Sequence, residues 1–277
     1  MNTRLFTVAK IQAGSTLQDF LSAKLGVSRN RAKALIDDRQ VFVNTKRVWM
    51  ARHALEQGDK IEVMDTERRS TSVGRSAVLF EDDHYLVANK PSGRLANGPD
   101  SLEENLRASL GIPELQAVHR LDRDTTGCLL FAKRQEALDP AVEMFKDRRV
   151  LKLYHAIAAG RVPLSTRVID VPVDGESATT SLQILDSNAL ASHLKLKIET
   201  GRTHQIRKHL ESINHPILGD KTYGTWNKLQ RELRLVERQM LHAACLQFES
   251  PYGGAVIRVE SPLPQDFLAC LRRLRLT

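Results

Sequence analysis

The feature that most constrains this chain is a charged stretch, residues 119–127, that leads directly into an apolar run, residues 128–132. An apolar run bounded by a glycine is typical of a buried strand, so the charged stretch is predicted to form a loop at the strand entrance. Within this loop, Asp122 lies between Arg120 and Arg123. A carboxylate that is held among guanidinium groups and partly shielded from water can act as a nucleophile or as a base.

The composition limits the classes of protein to which the chain can belong. With 277 residues and 42% hydrophobic content, it can bury a core as one large domain or two smaller ones. The net charge of +8 favours a polyanionic partner such as RNA, and a basic protein without such a partner is the alternative. The three cysteines form no CxxC pair, so neither a disulfide framework nor a zinc site is predicted. Because no signal-peptide region and no membrane-spanning apolar run is visible, we expect a cytoplasmic enzyme without membrane contact.

Residues 1–65 are predicted to form a small α/β unit. Apolar residues recur at helical spacing over residues 17–25, and a glycine follows. Residues 29–36 favour a second helix, while residues 41–44 and 58–63 favour a short strand and a turn followed by a strand. This order of elements resembles the alpha-L RNA-binding motif of ribosomal and RNA-modifying proteins.

Several cations of this unit are candidates for contact with RNA phosphates, which set affinity and register rather than sequence choice. They are Arg29, Arg31, Lys33, Lys46 and Arg47. A solvated charged face is the alternative interpretation. Arg39 and Thr45 stand where the motif usually carries glycine, so the two turns are expected to be remodelled.

Residues 66–77 are polar and are predicted to be a linker, which leaves residues 78–277 as the larger domain. This domain opens with a predicted hairpin over residues 78–93. Further strands are predicted at residues 128–133, 151–159, 193–199 and 241–248. Asp139 and Pro140 are expected to start a helix with Val142 and Phe145 on its buried face. Strands interleaved with a few helices predict an α+β fold with a mostly antiparallel mixed sheet.

Two further segments of this domain carry candidate site residues. Tyr154 lies in an alternating strand and could cover a flat ligand, although ordinary packing would also explain it. In residues 201–210, Thr203 is predicted to cap a helix that buries Ile206 and directs Arg207 into a cleft, a surface salt bridge being the alternative. The histidines of this region lack the spacing of metal ligands, so no metal site is predicted.

The order of four motifs across residues 78–270 resembles the RluA-type pseudouridine synthases. These motifs are HRLDRDTTG, KLYHAIAAG, GRTHQIRKHLESINHPILGDKTYG and MLHAACLQF. The resemblance implies an RNA enzyme that isomerises uridine without a cofactor. We also expect a monomer, and the sequence itself leaves the oligomeric state open. Its layout resembles enzymes of large-subunit ribosomal RNA, while some relatives modify transfer RNA.

The resemblance also implies roles for individual residues. Asp122 would be the catalytic aspartate, with Arg207 as the ion partner that favours its charged form. Tyr154 would stack on the target uracil and assist the final deprotonation. Arg120 would fill the space that the uridine leaves when it is extracted from its stack. The remaining substrate contacts expected from the family are Leu241, Ile206 and His119.

Two rival functions are compatible with parts of the sequence. A non-catalytic RNA adaptor could use the same two domains, although the Asp, Tyr and Arg positions are intact. The Asp-x-Asp of the loop and its likeness to a kinase HRD loop suggest a metal-dependent phosphoryl-transfer enzyme. Against that enzyme, the chain has no GxGxxG, no DFG and no P-loop motif.

Overall fold

The computed structural model describes residues 2–27, 29–37, 40–48, 50–65, 74–224, 233 and 236–277. Its internal contacts divide the chain into two compact units, residues 1–72 and residues 73–277. Within the described ranges, no helix has both the length and the apolar character that a membrane span requires. Most of the predicted linker, residues 66–73, lies outside the described residues, and Arg75–Ala77 form a short 3-10 helix.

The first unit is a small antiparallel sheet packed on two helices. Its strands are β1 (Asn2–Thr7), β2 (Val41–Val43), β3 (Lys46–Arg47) and β4 (Lys60–Asp65), and its helices are α1 (Leu17–Leu25) and α2 (Arg29–Asp37). The strand order is β1-β4-β2-β3. Leu17 and Leu21 of α1 pack with Ile36 of α2 and Ile61 of β4 in the core. The two predicted helices and the two predicted strands are confirmed, while β1 was not predicted.

The turn between β2 and β3 keeps a left-handed backbone without glycine. Asn44 has a φ of 50° and Thr45 a φ of 67°, as in the two-residue turns that join twisted antiparallel strands. The Asn44 side chain accepts a hydrogen bond from the Lys60 N–H at 2.9 Å and donates one to Asp59 at 2.7 Å, which offsets part of the strain. The expected remodelling is therefore wrong at Thr45, and Arg39 lies outside the described residues.

The second unit is built on one large mixed sheet. Its strands are β5 (Val78–Glu81), β6 (Tyr85–Lys90), β7 (Gln116–Ala117), β8 (Thr126–Ala132), β9 (Leu151–Ala159), β10 (Val168–Asp170), β11 (Thr179–Ser187), β12 (Ala191–Ile198), β13 (Leu241–Glu249) and β14 (Val256–Glu260). The main path is β10-β11-β12-β9-β13-β8-β6-β5, with β14 paired to β13 and β7 to β8. All of these pairs are antiparallel except β13 with β8. The predicted α+β fold with a mostly antiparallel mixed sheet is confirmed.

Alternating side chains separate two apolar clusters on the faces of this sheet. Along β8, Leu129 and Phe131 belong to one cluster, whereas Leu130 and Ala132 belong to the other. This alternation follows from the two-residue period of a strand. Because both faces are covered, every residue of β8 is buried, which explains why residues 128–132 are continuously apolar.

Four helices are described in this unit. They are α3 (Leu102–Leu110), α4 (Gln135–Lys146), α5 (Gln205–Ser212) and α6 (Gln265–Arg273). The predicted helix start at Asp139 and Pro140 is wrong, because α4 begins at Gln135 and contains Pro140. Its buried residues are Ala137, Ala141 and Met144, whereas the predicted Val142 and Phe145 are only half-buried.

The proline is tolerated inside α4 because another donor replaces the one that it lacks. Pro140 has no N–H to donate to the carbonyl oxygen of Glu136, four residues earlier. The Tyr252 hydroxyl donates to that oxygen instead, at 2.9 Å. A tyrosine distant in sequence therefore supplies the hydrogen bond that Pro140 cannot make.

Gly127 brings β8 into direct contact with β13 just after the charged loop. Its φ is 109°, and a Cβ at this position would lie 2.1 Å from the carbonyl oxygen of Ala243. Gly127 and Ala243 are partners in the parallel pairing, and the neighbouring Thr126 hydroxyl lies 2.9 Å from His242 Nδ1. This close approach requires a residue without a side chain.

Candidate active site

Asp122 is carried by the loop between β7 and β8, residues 118–125. The loop turns where the Thr125 N–H donates to the carbonyl oxygen of Asp122 at 3.1 Å. The Thr125 hydroxyl accepts a hydrogen bond of 2.7 Å from Gln239, which precedes β13. These contacts hold the loop at the end of the sheet where β8 and β13 begin.

Lys90, at the end of β6, anchors the same loop from within the protein. Its side chain is fully buried, and its ammonium group donates to the carbonyl oxygens of Pro91, Arg94 and Arg123 at 3.0, 2.7 and 2.8 Å. Burial lowers the pKa of Lys90 to about 7, although two aspartates of the loop act in the opposite direction. Two of these carbonyl groups follow β6 and the third belongs to the loop that carries Asp122, so Lys90 holds both segments in place.

Arg207 reaches Asp122 from the first turn of α5. The distance from Arg207 Nη1 to Asp122 Oδ2 is 3.0 Å. The carboxylate side chain is 28% exposed, whereas that of the arginine is 8% exposed. The fold therefore joins two groups that are 85 positions apart into a partly buried ion pair.

Asp220 binds the same guanidinium through both of its oxygens. Arg207 Nε and Nη2 donate to Asp220 Oδ2 and Oδ1 at 2.6 and 2.9 Å, and the N–H groups of Thr222 and Tyr223 also donate to Oδ1. Burial raises the pKa of Asp220, but these hydrogen bonds outweigh it, so this pKa lies below its usual value. Burial also lowers the pKa of Arg207. Its hydrogen bonds to the two aspartates have the larger combined effect, so the pKa of Arg207 lies above its usual value. Two carboxylates share one guanidinium, so this group of three charges remains negative.

A small chamber with apolar walls lies beside Asp122. Its volume is about 80 Å³, and the residues that form its apolar walls include Tyr154, Ile198, Ile206 and Leu241. Tyr154 is buried in β9, and Leu241 begins the adjacent β13. Burial, and to a lesser extent the negative charge of Asp122, raises the pKa of Tyr154. An apolar slot next to a carboxylate suits a flat ring whose polar substituents face the charge.

A larger and more polar chamber adjoins the first. Its volume is about 380 Å³. Both chambers are lined by Arg120, Asp122 and Arg207, so they meet at the ion pair. The larger chamber also has Arg123 and Lys221 in its lining, and these two side chains and that of Arg120 are exposed. Such cations favour a negatively charged ligand.

His204 occupies the junction of the chambers. It is the N-cap residue of α5 with a left-handed φ of 57°, so the predicted capping by Thr203 is wrong. His204 Nε2 lies 3.7 Å from Asp122 Oδ1, and its Nδ1 lies 3.0 Å from the Tyr223 hydroxyl. Across the part of the chain that the structure describes, no group of three or more His, Cys, Asp or Glu is arranged to hold a metal ion.

His119 does not line either chamber. Its Nε2 accepts a hydrogen bond from the Leu130 N–H at 3.1 Å, and its ring stacks on Phe145 with centroids 4.6 Å apart. Burial lowers the pKa of His119 to about 3, so the ring is neutral at ordinary pH. This packing behind the loop corrects the substrate contact predicted for His119. The other predicted site residues of this domain all line a chamber.

The cations predicted to bind RNA belong to the first unit. Arg29 pairs with Asp19 at 3.0 Å, and Lys33 pairs with Asp37 at 2.6 Å. Lys46 is exposed. The side chains of Arg31 and Arg47 lie outside the described residues.

The sequence did not reveal several residues that shape the site. Asp220 and Tyr223 both contact Arg207, and Lys90 holds the loop. Arg238 is buried and donates to the carbonyl oxygen of Asp124 at 3.3 Å. Two features of the sequence could have indicated such residues. Lys90 ends an apolar strand, and Asp220 follows a glycine after an apolar run.

Comparisons with known proteins relate both units to described families. The RNA pseudouridylate synthase family model matches residues 84–212, and the S4 domain model matches residues 16–61. The chain is 32% identical to ribosomal large subunit pseudouridine synthase C of Escherichia coli (strain K12), over 99% of this chain and 97% of that protein. It is 31% identical to ribosomal large subunit pseudouridine synthase D of Yersinia pestis, over 97% of this chain and 94% of that protein. The solved structure of human RNA pseudouridylate synthase domain containing 4 covers 73% of this chain and 94% of its own, with 28% identity and a TM-score of 0.63.

Proposed function

The chain belongs to the RNA pseudouridylate synthase family, and from this we propose that it converts specific uridines of large-subunit ribosomal RNA to pseudouridine. The relatives that match nearly its whole length carry that activity in their names. The reaction breaks the bond between the ribose and ring nitrogen 1, rotates the base and joins the ribose to ring carbon 5. The hydrogen of carbon 5 leaves and nitrogen 1 gains one, so the reaction is an isomerisation that needs no cofactor.

The single observation that carries this proposal is the ion pair of Asp122 and Arg207 at the meeting point of the two chambers. In our proposal Asp122 is the catalytic aspartate, whether it adds to the sugar, adds to the ring or abstracts a sugar proton. Each route requires an ionised carboxylate in a fixed position. Arg207 holds that carboxylate in place, with 3.0 Å between Nη1 and Asp122 Oδ2.

We assign the small chamber to the uracil ring. Tyr154 covers the ring, while Ile206 and Leu241 form its apolar surroundings. Because burial raises the pKa of Tyr154, its hydroxyl stays protonated at neutral pH, which argues against a role as the base in the last step. Its contribution in this proposal is stacking and donation of a hydrogen bond.

We assign Arg120 to the rim of the site. Its exposed side chain lines both chambers, where it can fill the space left by a uridine that has turned out of its stack. Extraction is needed because the reacting atoms are inaccessible within a helix.

We propose that residues 1–65 serve as the RNA-binding module, that residues 66–77 link it to the enzyme and that residues 78–277 form the catalytic domain. The match of residues 16–61 to the S4 domain supports this division. We further propose a monomer that acts in the cytoplasm, where ribosomal RNA would be its substrate.

The Asp122→Asn variant tests the catalytic assignment. It keeps the shape of the side chain but loses its charge, so RNA binding should persist while single-turnover isomerisation slows by roughly 10²–10⁴-fold or more. Tritium release from RNA with 5-tritiated uridine measures the reaction, because carbon 5 loses its hydrogen. Asp139→Asn, at an exposed aspartate of α4, is the matched control. Isomerisation by the Asp122→Asn variant at the rate of the unmodified protein would remove Asp122 from the mechanism.

The RNA substrate is tested by mapping pseudouridine in a deletion strain and in the same strain complemented with the gene. Loss and recovery of sites in large-subunit ribosomal RNA would support the proposal. Loss confined to transfer RNA would assign the enzyme to that substrate instead. An unchanged map together with RNA binding in vitro would favour a non-catalytic adaptor.

A further inference from the structure

His204 presents one ring nitrogen to the carboxylate of Asp122. Nε2 is 3.7 Å from Asp122 Oδ1, too far for a direct hydrogen bond but close enough for one hydroxyl group to contact both. His204 is half-buried and lines both chambers, so this gap is open to a ligand.

The opposite ring nitrogen is fixed by Tyr223. The Tyr223 hydroxyl lies 3.0 Å from His204 Nδ1, and the Tyr223 ring packs against the guanidinium of Arg207, with 5.0 Å from Cζ to the ring centroid. A carboxylate near Nε2 favours the tautomer that carries its proton there, so the Tyr223 hydroxyl donates to Nδ1. Burial lowers the pKa of His204, with the negative Asp122 acting in the opposite direction, and the ring is neutral at ordinary pH. The imidazole thus offers an N–H donor next to Asp122.

The backbone supports this orientation at a cost. His204 has a φ of 57°, which is uncommon for a residue other than glycine. Conformations of this kind persist where the surrounding structure holds them and are concentrated at functional sites. The strain is consistent with a side chain that must point into the cavity.

The neighbouring arginine directs three of its five N–H groups at carboxylates. Arg207 directs Nε and Nη2 to Asp220 and Nη1 to Asp122. Its guanidinium is therefore engaged on both edges by carboxylates. Arg120 is exposed at the rim. His204 directs its Nε2 at the gap beside Asp122.

We propose that His204 recognises the ribose of the target nucleotide by donating its Nε2–H to the 2′-hydroxyl. This inference rests on the proposed function, which assigns the uracil to the small chamber, and it adds that the sugar carbon bonded to the base lies next to Asp122. The 2′-hydroxyl is attached to the next sugar carbon, so it falls in the gap between the two side chains. A hydroxyl can accept from His204 and donate to Asp122 at the same time. His204 would then distinguish ribose from deoxyribose at the reacting nucleotide.

The test compares single-turnover rates on two RNA substrates that are identical except at the target, uridine or 2′-deoxyuridine, each with tritium at carbon 5. The ratio of the two rates is measured for the unmodified protein, for His204→Gly and for Tyr223→Phe. His204→Gly removes the imidazole and suits the left-handed backbone. Tyr223→Phe keeps the ring on Arg207 and removes the hydroxyl that fixes the tautomer. His84→Asn, at a histidine that lines neither chamber, is the control.

We expect the unmodified protein and the His84→Asn variant to prefer uridine, and this preference to shrink by roughly fivefold or more in His204→Gly, the size of one lost hydrogen bond. Tyr223→Phe should reduce the preference in the same direction. An equal loss of rate on both substrates in the two variants, or no preference in the unmodified protein, would overturn the ribose contact. Absence of turnover on the uridine substrate by the unmodified protein would instead contradict the proposed function. Thermal unfolding of each variant identifies misfolding, and Tyr223→Phe decides the matter if His204→Gly does not fold.

Discussion

At the scale of single residues, the site depends on one guanidinium that serves two carboxylates in different surroundings. Asp220 has no exposed side-chain surface, while Asp122 is 28% exposed and faces the chambers. The buried carboxylate accepts from Nε and Nη2, which form one edge of the guanidinium, and Nη1 donates to the exposed carboxylate. Asp220 is therefore a positioning residue that acts on Asp122 through the arginine.

Replacing Asp220 by Asn should impair both stability and rate. The buried guanidinium would lose one of its two charged partners, which we expect to lower the free energy of unfolding by about 2–4 kcal/mol. Arg207 would also lose the bidentate contact that orients it, so Asp122 would be held less firmly. Small displacements of a reacting group slow a reaction by roughly 10–100-fold. Urea unfolding and single-turnover tritium release measure the two effects.

The matched control for this variant is Asp174→Asn. Asp174 pairs with Lys208 on the same helix as Arg207, at 2.6 Å, but its side chain is 65% exposed. Loss of such a surface pair should cost less than about 1 kcal/mol and leave the rate unchanged. An Asp220→Asn variant that is destabilised but isomerises uridine at the normal rate would show that Asp220 has only a structural role.

The sequence predicted the members of this site better than their arrangement. Asp122, Arg207 and Tyr154 could be named because each lies in a long motif with a characteristic order. Asp220 could not, because its partnership with Arg207 depends on how the chain after α5 folds back. The resemblance to the family placed His119 among the substrate contacts, but its ring stacks on the half-buried Phe145 and lines neither chamber. Adjacency in sequence does not specify which face of a loop a side chain joins.

At the scale of secondary-structure elements, apolar runs were the most reliable signal. The predicted strands at residues 151–159 and 241–248 closely match β9 and β13 because both are buried on the sheet. Four strands of this unit are short or half-exposed, carry a weaker pattern and were not predicted: β7, β10, β11 and β14. The start of α4 was missed because Pro140 is a helix-start signal, and the Tyr252 hydroxyl that permits it inside the helix is not local in sequence.

The pairing of β8 with β13 leads to a prediction at Gly127. An alanine there would place its Cβ about 2 Å from the Ala243 carbonyl oxygen, and that backbone atom cannot move without breaking the parallel pair. We expect Gly127→Ala to lower the free energy of unfolding by at least about 1–3 kcal/mol through this overlap, in addition to the strain of a positive φ. Urea or thermal unfolding followed by circular dichroism measures the change.

Gly253→Ala separates the overlap from the backbone strain. Gly253 has a φ of 83°, but a Cβ there would meet nothing within 4 Å. This control should lose only the roughly 1 kcal/mol expected for a left-handed alanine. If the two variants are equally destabilised, the overlap with Ala243 in Gly127→Ala does not contribute to the free energy of unfolding.

At the scale of the whole molecule, the chain combines a catalytic domain with a module that matches the S4 domain. The two parts contribute differently to a proposed RNA complex. In that proposed complex the chambers would select a nucleotide through shape and hydrogen bonds, whereas exposed cations of the first unit would add affinity through phosphate contacts. Of the cations predicted for that role, Arg29 and Lys33 are paired with aspartates of their own unit.

Lys46 offers the sharpest test of the module. It is exposed in β3, and no carboxylate among the described residues forms an ion pair with it, so its charge is available to a phosphate. If it makes one such contact, Lys46→Gln should weaken binding uniformly across RNA sequences and reduce the slope of log affinity against log salt concentration by about one. Lys146→Gln, at an exposed lysine of α4 that pairs with Glu143, removes the same charge from the other unit and should leave the slope nearly unchanged. Equal slopes for the two variants would show that Lys46 contributes only net charge, the behaviour of a solvated surface, while a smaller slope confined to Lys46→Gln would support a phosphate contact by the module.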